Sequence, residues 1–230
     1  MAVHKPRGFP AGTKKTILIV DDHPMMREGL RSVINRQPDL TVCGEAENAE
    51  QAMQAVRKRA PDLTLVDITL PGKSGLELVK DLKVLHPELR ILAISLHDES
   101  LYAERMLRAG ANGYITKRQP PEELVKAIRQ VLNQHVYVST EVSESLLRRF
   151  SFHCPGDLSP IKLLTDREFE ILQLLGQGKA QIEIARQLHL APKTVAVHAA
   201  NIRHKLHLQT TAQLIRFAVQ ADDLAHPGRG

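Results

Sequence analysis

Five short apolar runs constrain this chain more than any other feature: TILIV from Thr16, LTVCG from Leu40, LTLVD from Leu63, ILAIS from Ile91 and GYITK from Gly113. Amphipathic stretches of about ten to fourteen residues separate them, long enough for helices where the runs themselves are long enough only for strands. Strands that alternate regularly with helices predict a parallel sheet covered by helices on both faces and joined by right-handed crossovers. The punctuation agrees, with Pro24 early in a helix, Pro61 and Pro87 ahead of strands, and AGANG before the last run.

The pattern stops near Asn133. Residues 134–164 hold VSTEVSESLLRRF, which can form a short linker helix, and FHCPGDLSPIK, with two prolines and a glycine. From Thr165 onward the apolar period is helical. TDRE at 165–168 is a capping box, in which Thr165 closes the helix start and Glu168 reaches back. Helices are expected over 166–175, 180–188, 192–206 and 210–220. The expected organisation is a basic, disordered leader (1–15), an α/β domain (16–133), a linker (134–164), a four-helix all-α domain (165–222) and a flexible tail (223–230).

Composition narrows the setting. The chain is 43% hydrophobic and 25% charged, as in globular proteins. It has no apolar run of the ~18 residues a membrane span needs and no signal-peptide core, so a cytoplasmic protein without a membrane partner is expected. Cys43 and Cys154 have neither disulfide-framework nor zinc spacing, which fits a reducing compartment. The net charge of +5 lies largely in the leader, which has four basic and no acidic side chains. One further basic stretch stands out: from Ile184 to Ala221 there is no acidic residue, while Arg186, Lys193, Arg203, Lys205 and Arg216 are basic.

Ligands of open parallel sheets bind at the carboxyl ends of the strands. Those ends carry Asp21 and Asp22, Asp67, Ser95 and Lys117. Three converging carboxylates repel one another unless a cation sits among them, and oxygen ligands of this kind suit Mg²⁺. A carboxylate beside Mg²⁺ can attack phosphorus, while a lysine and a hydroxyl neutralise phosphoryl oxygens. Singly, each residue has a plainer reading: Asp22 as a helix cap, Asp67 as turn chemistry, Lys117 as a solvated charge. Those readings do not explain why all four strand ends carry such groups.

VDDHPMMREGL, LVDITLPGKSGLELV, ISLHD and RAGANGYITK resemble the receiver domain of bacterial two-component response regulators. The resemblance implies a flavodoxin-like, doubly wound five-stranded sheet. It further implies that Asp67 accepts a phosphoryl group from a histidine kinase, and that Asp21, Asp22, Asp67 and the Thr69 carbonyl hold Mg²⁺. Ser95 and Lys117 would contact the phosphoryl group, and Tyr114 matches the aromatic switch position. Arg118 departs from the proline that often follows the family lysine.

LTDREFEILQLLGQGKAQIEIARQLHLAPKTVAVHAANIRHKL resembles the LuxR-type helix-turn-helix domain, so that Thr16 to about Gln220 is similar to the NarL/FixJ subfamily. At 100° per residue, Val195, Ala199, Ile202 and Leu206 share one face of the helix from Pro192 and should pack inward. Lys193, Ala196, Val197, Ala200, Asn201 and His204 then point away, and those of the first two turns, with Thr194, form the expected DNA-contacting surface: Lys193, Thr194, Ala196, Val197, Ala200 and Asn201. Lys179, Lys193, Arg203 and Lys205 would anchor DNA phosphates. The chain departs from the family where Ala196 and Ala200 replace frequent polar or basic residues, and where Ala191 stands in for a serine cap.

Three functions compete. The first is a phosphorylation-controlled transcription regulator that dimerises and binds promoter DNA. The second is a phospho-switched protein-interaction module whose helix-turn-helix no longer reads sequence, motivated by the Ala196–Val197–Ala200 patch. The third is a Mg²⁺-dependent phosphatase or phosphotransferase for small molecules. Against it, the chain has neither a GxxxxGK[ST] loop nor a GxGxxG fingerprint, and the expectation is a non-enzyme that assists only its own phosphorylation and dephosphorylation.

Overall fold

A computed structural model describes residues 14–95, 99–140, 142–144 and 163–225. The first thirteen residues, most of the linker and the last five residues lie outside the described residues, as does most of the expected linker helix. The strands are β1 (Lys15–Val20), β2 (Leu40–Ala46), β3 (Leu63–Asp67), β4 (Arg90–Ser95) and β5 (Gly113–Thr116). They alternate with α1 (Pro24–Asn35), α2 (Ala49–Lys58), α3 (Gly75–Leu85), α4 (Glu99–Arg108) and α5 (Pro121–Leu132). The sheet is five-stranded, all-parallel and ordered β2-β1-β3-β4-β5, the doubly wound order the alternation predicts. Strand β1 starts at Lys15, inside the stretch expected to be leader, because its N–H donates to the Asp39 carbonyl (2.9 Å) and its Nζ pairs with Asp62 (2.7 Å).

Alternate residues of the strands feed two apolar layers. Ile17, Ile19, Leu63, Leu65, Leu92 and Ile94 face α1 and α5. Leu18, Val20, Val66, Ile91 and Ala93 face α2, α3 and α4. The second layer does not end at the α/β unit. It runs on through Tyr102 and Phe169 into four further helices: α6 (Asp166–Gly176), α7 (Gln181–Gln187), α8 (Pro192–Lys205) and α9 (Thr211–Ala225).

The helix starts follow the sequence chemistry. Thr165 and Glu168 form the capping box, and Pro192 occupies the first turn of α8 behind an Ala191 that makes no side-chain cap. Val195 and Ile202 are buried and Ala199 packs against the core, while Lys193, Ala196, Val197, Ala200, Asn201 and His204 are exposed. Among the described residues, no helix is long and apolar enough to cross a membrane.

One glycine fixes the end of β3. Ser74 and Glu77 cap α3 reciprocally, and the Gly75 N–H donates to the Ile68 carbonyl at 2.8 Å. A Cβ on Gly75 would lie 2.0 Å from the Asp67 carbonyl oxygen, so the helix can start this close to the strand only without a side chain. Gly75→Ala is expected to cost about 1–3 kcal/mol through forced backbone displacement. Urea denaturation checks this: the midpoint should fall at constant m-value.

Candidate functional site

The carboxyl ends of β1, β3, β4 and β5 bring Asp21, Asp22, Asp67, Ser95 and Lys117 together, as the strand-end pattern requires. Backbone bonds hold those ends in register: Asp21 N–H to Ala46 O (3.1 Å), Ile68 N–H to Ile94 O (3.2 Å) and Lys117 N–H to Ser95 O (2.7 Å). The Lys117–Arg118 peptide is trans. Potential ligand atoms of Asp21, Asp22, His23 and Asp67 all lie within 4.8 Å of one another. Lys117 Nζ is nearly buried and donates to Asp21 Oδ2 at 2.6 Å and Asp67 Oδ2 at 2.7 Å. The Thr69 N–H donates to Asp67 Oδ1 at 3.2 Å, and the His23 N–H to Asp21 Oδ1 at 2.8 Å. Ser95 and Tyr114 are fully buried, the tyrosine ring already within the core.

The charge balance is uneven. Burial pushes Asp67 up to about 6; Lys117 draws it down, and the neighbouring Asp21 pushes it up again. Burial likewise depresses the Lys117 ammonium, but the charges of Asp67 and Asp21 more than offset this and hold it above its usual value. One lysine thus faces three carboxylates. Asp22 carries the surplus: its Oδ1 is buried without a hydrogen bond, although His23 Nδ1 lies 2.7 Å away in a geometry that makes none. An orphaned carboxylate oxygen beside two more carboxylates fits a hard divalent cation with oxygen ligands.

Sequence reasoning missed three parts of the site. Arg27, spaced like a helix-surface residue, is buried; it donates to the Asp21 carbonyl (2.7 Å) and pairs with Glu45 (3.3 Å) and Glu47 (2.6 Å), which pins the β1–α1 loop. His23 was legible only as the residue before a proline. The third part comes from the helical domain, which closes over the strand ends. His189, in the turn between α7 and α8, places Nε2 at 3.2 Å from Asp22 Oδ2. Lys179, Glu183, Arg186, Gln187 and His189 then roof a cleft of about 580 Å³ whose floor holds His23, Asp67, Thr69 and Lys117. Lys179, expected on DNA phosphates, here hydrogen-bonds Gln187 and lines this cleft. Lys205 is also engaged, with Glu168 at 2.7 Å.

The contact surface lies beside the cleft. Asp166 accepts from Lys80 (2.8 Å) and Arg105 (3.1 Å). Phe169 meets Tyr102 edge-on at 5.4 Å, and the Arg105 guanidinium lies 4.0 Å from the centre of its ring. Arg167 is buried; it donates to the carbonyls of Gly72 (3.2 Å) and Leu188 (2.8 Å) and pairs with Glu170 (2.7 Å). TDREFE therefore carries the domain contact as well as a helix cap.

The family follows from comparison. A model described as response regulator receiver domain matches residues 17–129, and one described as bacterial regulatory proteins, luxR family, matches residues 162–218. The oxygen regulatory protein NreC of Staphylococcus haemolyticus is 35% identical over 209 residues, 89% of this chain and 96% of that protein. This chain is a response regulator. It joins a receiver domain to a LuxR-type DNA-binding domain, the composition of a transcription regulator. A LuxR-family response regulator from Aurantimonas sp. SI85-9A1 is 35% identical with a TM-score of 0.57, covering 61% of this regulator and 100% of that chain. RcsB of Salmonella enterica serovar Typhimurium shares the fold at 24% identity and a TM-score of 0.59, over 90% of this chain and 99% of that one.

Glu170 gives the regulator a testable pH response. Burial pushes it up to about 7 against the pull of Arg167, with Glu77 and Asp166 adding to the rise. Its folded pKa lies above the unfolded value of 4.5, so its contribution to stability is complete below about pH 4.5 and is lost as pH rises through about 7. Glu170→Gln should flatten the fall in stability between about pH 4.5 and 7. Urea titrations of both proteins across that range, without divalent cations, measure the difference in slope; equal slopes would contradict the assignment.

Proposed function

We propose that this regulator is a cytoplasmic transcription factor switched by phosphorylation of Asp67, with a histidine kinase as donor, promoter DNA as target and a homodimer as the phosphorylated state. The observation that carries this reading is the buried Asp67–Lys117–Asp21 bridge beside the orphaned Asp22 oxygen, at the carboxyl edge of the sheet. Asp21, Asp22, Asp67 and the Thr69 carbonyl would hold Mg²⁺, which when bound supplies charge neutralisation for the incoming phosphoryl group. An Asp67 oxygen attacks phosphorus as the donor's bond to phosphorus breaks, and the leaving group departs with that electron pair. With its pKa raised to about 6, Asp67 is ionised at neutral pH yet more basic than an exposed aspartate. Lys117, held between the two carboxylates, is placed to turn one donor N–H to a phosphoryl oxygen, and Ser95 lies at the neighbouring strand end. Tyr114, buried behind Ser95's strand, would report the change to the α4–β5 surface.

On the DNA side, α8 presents Lys193, Thr194, Ala196, Val197, Ala200 and Asn201. Alanine and valine offer thymine methyls an apolar contact, while Asn201 supplies the hydrogen-bonding edge. Lys193 and Arg203 flank this surface as phosphate anchors, with Lys179 and Lys205 available once their present partners release them. A second reading is favoured by one observation: Val197, 52% exposed, makes with Ala196 and Ala200 an apolar patch that would also suit a protein partner.

Asp67→Asn should abolish labelling by acetyl phosphate, and chelating Mg²⁺ should block labelling of the wild type; undiminished label in either case refutes the chemistry. Lys193→Ala should weaken DNA binding evenly across sequences and reduce the slope of log K against log salt by about 1. Titration of promoter fragments against random DNA at fixed salt separates the two readings, since equal affinity favours the interaction module. A site preference left unchanged by Ala200→Arg would remove Ala200 from the base-facing surface.

A further inference from the structure

The helical domain reaches the acidic cluster from two directions. His189 approaches Asp22 Oδ2, and Arg167 holds the Gly72 carbonyl in the loop that also carries Thr69. His189 sits in a turn that only a left-handed backbone can make, at φ 52°, with the Leu190 N–H returned to the Ala185 carbonyl at 2.8 Å. The turn therefore projects this side chain from a fixed position at the end of α7. Lys179, Glu183 and Arg186 stand beside it in the lining of the cleft above the carboxylates.

We infer that divalent-cation binding at Asp21, Asp22 and Asp67 and docking of the helical domain oppose each other, with His189 as the residue through which they compete. This rests on the metal reading proposed above and adds a direction of control to it. In the docked arrangement His189 occupies one oxygen of Asp22 from the open side of the cluster. A bound Mg²⁺ would keep several waters, which need the volume beneath the roof, and its two charges would be repelled by a lining in which Lys179 and Arg186 outweigh Glu183. Conversely, the docked roof raises the cost of bringing the ion in. Such coupling is reciprocal: the factor by which docking weakens the cation equals the factor by which the cation weakens docking. Metal loading thus loosens the helical domain before any phosphoryl group arrives, and it exposes Asp67 to a donor at the same moment.

Calorimetric Mg²⁺ titration of the full chain at fixed pH tests this on three proteins. They are the wild type, His189→Ala, and Asp166→Lys, which breaks the contacts with Lys80 and Arg105 away from the cluster. Both variants should bind Mg²⁺ about five-fold more tightly or better, the lower end of typical coupling. Small-angle scattering of the wild type should show expansion on adding Mg²⁺, and the Asp166→Lys protein should be expanded without it. Equal affinity in all three proteins overturns the coupling while leaving the metal site intact. Tightening in His189→Ala alone, with Asp166→Lys expanded but unchanged in affinity, also overturns it, because the effect is then local to Asp22. No Mg²⁺ binding by any of the three removes the metal reading itself.

Discussion

Lys117 between Asp21 and Asp67 is the interaction on which the rest of this molecule turns. Two carboxylates can share the end of a buried sheet only if a cation joins them, here the Lys117 ammonium, and the bridge ties together the ends of β1, β3 and β5, three of the five strands. Removing either partner leaves an uncompensated buried charge, the costly case for an ion pair in a low-dielectric interior. Yet the bridge is one positive charge short. That shortage raises Asp67, orphans an oxygen of Asp22, and leaves a negative edge that attracts whatever cation is within reach. In this structure the groups within reach of Asp22 are His23, 2.7 Å from its Oδ1, and His189 of the helical domain, 3.2 Å from its Oδ2.

Most of the α/β unit was legible because each strand is a compact apolar run and each helix has its own start signal. Strand ends are fixed by the runs, so the convergence of Asp21, Asp22, Asp67, Ser95 and Lys117 could be read without coordinates. The small helical domain was legible for the same reason: Thr165, Pro192 and the Val195–Ile202 spacing define its helices. What could not be read is the contact between the two units. Asp166, Arg167, Phe169 and Glu170 fall in one helical turn, and their periodicity is satisfied equally by a core or by a neighbour. Arg27 hid in a similar way, because a buried arginine differs from a solvated one only in the company of Glu45 and Glu47, which come from another element. Pairings between distant segments leave no period in the sequence.

The docked arrangement divides the DNA-binding apparatus rather than hiding all of it. The outward residues of α8 remain exposed, whereas Lys179 and Arg186 line the cleft above the receiver's acidic cluster. Basic side chains suited to phosphate backbones are equally suited to an acidic cluster, so on the reading proposed above the same chemistry would serve two partners. The apolar character of Ala196, Val197 and Ala200 fits this division, since residues without charge gain nothing from the receiver's acidic edge.

The apolar layer that passes from the sheet through Tyr102 and Phe169 into the helical domain also ties together the fates of the two units when the protein unfolds. Where side chains pack without a break, neither unit opens alone without exposing the other's flank, so the docked protein should melt as one cooperative body. Undocking converts that body into two, each with a smaller core and its own midpoint. The four-helix unit buries a core of its own, with Leu172, Ile184, Ile202 and Leu214 at its centre, and the receiver adds to it the contact of Tyr102 with Phe169.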